Sequence, residues 1–125
     1  MNAAKIYIAA NGVFYSVYGL WGALMPMGMA GIMGWTPDLL GLHQIRAVSM
    51  TMAVLGLYAL GGALKNFHPK LLILMIIGVT LAFAAGRLLG LVFDGTGPTQ
   101  TYAEIAFEVF WSAIGYLIYR RLGAR

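Results

Sequence analysis

Four long apolar stretches decide what this chain can become. They cover residues 7–25, 45–64, 71–93 and 103–119. A helix needs about 20 mainly apolar residues to cross the hydrocarbon core of a bilayer. Strands of a membrane β-barrel are shorter and alternate in polarity, and these stretches do neither. The first follows Lys5 and has the look of a leader, but it is too long for one, and no small-x-small cleavage pattern follows it. It is expected to remain as a helix. The expected fold is therefore all-α: an integral membrane four-helix bundle, up-down-up-down, with residues 1–125 forming one domain.

Composition agrees. Of 125 residues, 61% are hydrophobic and 10% charged, with a mean hydropathy of +0.81. Water-soluble domains carry roughly 25% charge. The absence of cysteine removes thiolate catalysis, disulfides and Cys-based metal sites at once.

The connections differ in length. Residues 65–70 form a tight turn, with Pro69 placed to open the third helix. Residues 94–102 hold Gly95, Gly97 and Pro98 and make an ordinary loop. Residues 26–44 make the long connection. There, Thr36-Pro37-Asp38 is a helix-start signal, with Thr36 as cap. It predicts a short interfacial helix or an early start to the second span, with Trp35 at headgroup level.

The net charge of +4 is unevenly spread. Threading four spans puts Lys5, Lys65, Lys70, Arg120, Arg121 and Arg125 on one side. Asp38, Asp94, Glu104 and Glu108 fall toward the other, with Arg46 and Arg87. The balance is +6 against −2. The positive-inside rule then places both termini in the cytoplasm. The basic residues are scattered over helix ends, which suits lipid headgroups as partners and not nucleic acid.

Ionisable groups within a span cost about 2.5–3.5 kcal/mol each, so they normally turn inward. Arg87 lies six residues before Phe93, roughly 9 Å below the helix end. Glu108 lies five residues after Ala103, roughly 7–8 Å below its own end. The matched depths predict an ion pair. Arg46 and Glu104 are expected to extend it outward, with Asp94 as a third acid and His43 and Tyr102 at the mouth. Such a cluster is either a staple between helices or a pocket for a headgroup or a proton.

Met25, Met27, Met29 and Met33 form a second constellation, within M-P-M-G-M-A-G-I-M. Thioethers can select Cu(I). With no Cys and two His, the expectation is apolar packing without metal. Gly12, Ser16, Gly19 and Ala23 line one face of the first helix, and Gly86 and Gly90 one face of the third; both suit close helix packing. Trp111, seven residues after Glu104, is expected in the core or beside the cluster. No catalytic triad, phosphate loop or dinucleotide fingerprint is present, so no enzyme and no cofactor is expected.

Tyr18-Gly19-Leu20 leading to Pro26, Ile45-Arg46-Ala47, Gly86-Arg87 with Asp94-Gly95, and a glutamate in the last helix (Glu104 or Glu108) together resemble a known family. It is a bacterial family of small four-helix membrane proteins, known as a domain of unknown function. The resemblance implies an inner-membrane four-helix fold and no particular activity. The functional expectation is a non-catalytic accessory subunit, or a binder of lipid or quinone headgroups. Its partners would be membrane lipids, a larger membrane complex or further copies of itself. A small oligomeric transporter or channel and a Cu(I)-handling protein are the alternatives.

Overall fold

The computed structural model describes residues 2–123; Arg125, counted above with the basic side, lies outside them. Every regular element among these residues is helical: α1 (Ala3–Leu24), α2 (Pro26–Ile32), α3 (Leu39–Lys65), α4 (Pro69–Phe93) and α5 (Thr99–Gly123). Helices α3 and α4, of 27 and 25 residues, are long and apolar enough to cross a membrane. Helix α1 meets that measure only together with α2, and the two are bent by 109°. Helix α5 does not meet it, because its first half carries Gln100, Glu104 and Glu108.

The bend has a local cause. Proline lacks the N–H that would continue the ladder, yet its fixed φ suits the first position of a new helix. Pro26 thus ends α1 and opens α2, while Met25 between them leaves helical dihedrals at φ −128°, ψ 59°. The short helix lies at Pro26–Ile32, earlier than the 36–44 region, where the second span instead starts early. Asp38, not Thr36, caps α3: its carboxylate accepts the Gly41 N–H at 2.7 Å. A cap bonds the amide three residues on, and Asp38 stands at that distance from Gly41. At the far end, Asn66 takes the left-handed conformation at φ 52°, which asparagine tolerates. Pro69 opens α4 as expected. Helix α5 starts at Thr99, four residues ahead of the expected span.

The helices sort into two units, Ile8–Phe67 and His68 onward with the first turn of α1 through Tyr7. In the first unit, α1 and α3 meet through small residues. Ser49, Ala53, Gly56, Ala59 and Ala63 form the buried stripe of α3. A Cβ on Gly19 would run into the backbone of Ala53 and Ser49, and one on Gly56 would strike Ser16. One on Gly12 would lie 2.9 Å from the Leu60 nitrogen. The expected stripe of α1 is therefore the contact face. Without side chains between them, the backbones gain dispersion contacts that bulkier residues would prevent.

In the second unit α4 packs along α5. Ile73, Ile76, Thr80 and Ala84 are the buried stripe of α4, at helical spacing. Tyr7 stacks on Trp111 with ring centroids 5.2 Å apart, and its phenol donates to the Trp111 carbonyl at 3.3 Å. Gly115 leaves the room for that ring. Among the described residues Gly86 and Gly90 pack against no other helix: Gly86 faces open space, and Gly90 lies near the Asp94 carboxylate. Spacing alone shows that two glycines share a face, not whether a neighbour lies against it.

Candidate polar site on α4 and α5

Arg87 on α4 reaches α5 with both arms of its guanidinium. Its Nε donates to Glu104 Oε2 at 2.7 Å, and its Nη1 donates to Glu108 Oε1 at 2.6 Å. Residues four apart lie one above the other on a helix, so one planar fork can hold both carboxylates. Gln100, a further turn outward, donates to Glu104 Oε1 at 2.9 Å. Phe83, one turn before Arg87, presents its ring 5.8 Å from the guanidinium carbon, a cation–π contact.

Exposure falls along the column. The Glu104 side chain is 34% exposed and that of Glu108 13%. Glu108 Oε2 is buried and has no hydrogen-bond partner among the described residues. Neither has the hydroxyl of Ser112, one turn deeper. One cation holds two carboxylates, so the triad carries a formal charge of −1.

The Arg87–Glu108 pair is where the depth argument put it. Glu104 extends the pair outward, as expected, and does so on Arg87 itself. Arg46, in the other unit, donates from Nη1 to the Ala23 carbonyl at 2.5 Å. That carbonyl is freed by the break at Met25, and a cation suits a helix C-terminus. Asp94 is not among Arg87's ion partners; it is exposed and ends α4, its N–H on the Gly90 carbonyl. Tyr102 and His43 are exposed, His43 near the start of α3. Trp111 packs between rings, with Phe107 at 6.0 Å on one side. Met29 is buried, its sulfur 4.0 Å from the Ser49 hydroxyl, while Met25, Met27 and Met33 are exposed. No group of three or more His, Asp or Glu suited to a metal occurs among the described residues. Gln100 and Ser112 escaped the sequence reading, although they continue the four-residue spacing of Glu104 and Glu108.

Fold and site define a class: among the described residues, an all-helical protein with two helices long and apolar enough to cross a membrane, and an arginine–glutamate cluster that joins one of these, α4, to α5. Residues 3–119 match the family described as the domain of unknown function DUF4345, and the chain belongs to that family. No curated protein and no solved structure gives a significant match.

Proposed function

We propose that this is a non-catalytic multi-pass protein of the bacterial inner membrane, working as an accessory subunit or as a binder of lipid or quinone headgroups. Its long helices cross as an up-down-up-down bundle with both termini cytoplasmic. The observation that supports this is the apolar surface of α4 and α5: Leu71, Val92, Phe93, Phe107, Phe110 and Leu117 are each at least 58% exposed. So much exposed apolar area marks a surface made for lipid or for a partner. In this reading α5 crosses despite its carboxylates because Arg87 takes them off the lipid face. A small oligomeric transporter or channel is the second reading, supported by the buried Glu108 Oε2, which has no hydrogen-bond partner among the described residues. The methionines lend Cu(I) handling no support, since Met29 is turned inward.

Purification from native membranes in mild detergent tests the role. A defined larger protein, or a stoichiometric lipid or quinone, is expected to co-migrate; a lone chain with bulk lipid only would sink the proposal. Topology has its own test, made clean by the absence of native cysteine. Single cysteines at Lys65 and Thr96 are expected to label from opposite sides of the membrane. Labelling from the same side would mean that α4 does not cross.

A further inference from the structure

We propose that Arg46 holds the phosphate of a membrane phospholipid at the end of α3 opposite Lys65, with the acyl chains of that lipid against the exposed side of α2. The site rests on the reading above that α3 crosses a membrane. Depth along the helix places it. Arg46 and Lys65 lie 19 residues apart on α3, about 28 Å at 1.5 Å per residue. The hydrocarbon core of a bilayer is about 30 Å thick. With Lys65 at one headgroup plane, Arg46 stands at the other. Charge then says what it meets there. Asp38 is the only acid in residues 8–67, and its carboxylate is engaged as the cap of α3. Arg46 is exposed and makes no ion pair among the described residues. Its Nη1 is tied to the Ala23 carbonyl, which fixes the guanidinium at this level, and its other N–H groups have no partner among the described residues. A planar guanidinium with donors to spare matches the oxygens of a phosphate.

The short helix supplies an independent pointer. Helices α1 and α3 run antiparallel, with Gly12 beside Leu60, Gly19 beside Ala53 and Ala23 beside Arg46. The 109° bend turns α2 nearly perpendicular to α1, so beside a span it lies close to the membrane plane. Met29 fills the space between Gly22 and Ser49. Ser49 is one turn from Arg46 on the Lys65 side, so α2 sits just beneath the guanidinium, at the depth of the first acyl carbons. Residues 25–37 carry no charge, and Met27 and Ile32 are 54% and 73% exposed. Trp35, whose ring lies beside Gly41, adds an indole at headgroup level. A cation without an acid above an uncharged, exposed helix is complementary to a phospholipid, anionic at its head and apolar below.

Native mass spectrometry of the full chain with added phosphatidylglycerol tests the ligand. One lipid per chain is expected to stay bound, and Arg46→Gln should lower the bound fraction about tenfold, as the loss of a charged hydrogen bond does. Lys65→Gln removes the same charge and should leave the fraction unchanged; equal losses would overturn the site in favour of general attraction to the basic chain. Diacylglycerol held as well as phosphatidylglycerol would reject the phosphate contact. Displacement by inorganic phosphate would reject the lipid. Spin labels on Ile32→Cys and Leu57→Cys in phosphatidylglycerol–phosphatidylcholine vesicles separate this site from the reading beneath it. Leu57, midway between Arg46 and Lys65, is expected deep in the hydrocarbon, and Ile32 at its boundary. Ile32 in water with Leu57 deep would overturn the lipid site alone. Leu57 in water would overturn the crossing of α3, and the site with it. Both labels leave Arg46 in place, so they decide if Arg46→Gln does not fold.

Discussion

Arg87→Leu is expected to lower stability by about 3 kcal/mol, read as a drop in the thermal midpoint of helical circular dichroism in detergent. Breaking a buried ion pair from one side costs about 3–5 kcal/mol, because the other charge is left without a partner. Here two carboxylates are stranded, but Arg87 and Glu104 keep 29% and 34% exposure, which brings the figure to the low end. The double variant Arg87→Leu, Glu108→Leu is expected to regain most of the loss. It removes the deeper acid and leaves Glu104 with Gln100, at the more exposed end. A double variant no more stable than the single one would show that the arginine does something other than hold these acids.

A larger loss is expected in the other unit. Gly19→Leu should cost more than about 3 kcal/mol, beyond the usual range for overpacking. The usual range applies where side chains can move aside. At Gly19 the first atom added meets the backbone of Ala53 and Ser49, which cannot yield without parting α1 from α3. Gly86→Leu is the matched control. Nothing lies within 4 Å of its added carbon, so the change should stay within about 0.5 kcal/mol, as at an open surface. Denaturation of both variants in the same detergent makes the comparison. Equal losses would mean that the α1–α3 contact is not set by its glycines.

What could be read in advance follows from which physics is local. The depth of Arg87 and Glu108 is counted along two helices, so their meeting needed only the helical rise and a short loop. The partner of Glu104 could not be counted that way. Arg46 and Arg87 both sit toward the same end of the threading, and distance along the chain does not rank them. Arg46 is instructive, because its bond to the Ala23 carbonyl was not foreseen. Pro26 was visible as a helix stop, and a stop leaves carbonyls in need of donors. That signal could have sent the arginine to Ala23. The same proline also opens α2, a double role that its position permits but does not announce. Gly12 and Gly86 look alike in sequence, and only tertiary structure separates the one against Leu60 from the one facing open space.

The two-handed grip of Arg87 has a consequence for sliding. Along α5, Gln100, Glu104, Glu108 and Ser112 repeat every four residues, like teeth on a rack. Moving α5 by one tooth, about 6 Å at 1.5 Å per residue, would offer Arg87 either Gln100 with Glu104 or Glu108 with Ser112. Each misaligned position keeps one carboxylate and exchanges the other for a neutral group. A hydrogen bond to a charged group is worth about 1.5–3 kcal/mol against about 1 for a neutral one. One acid on α5 would let the rack settle wherever that acid found the arginine. Two acids in succession single out one tooth, and the arginine works as the pawl.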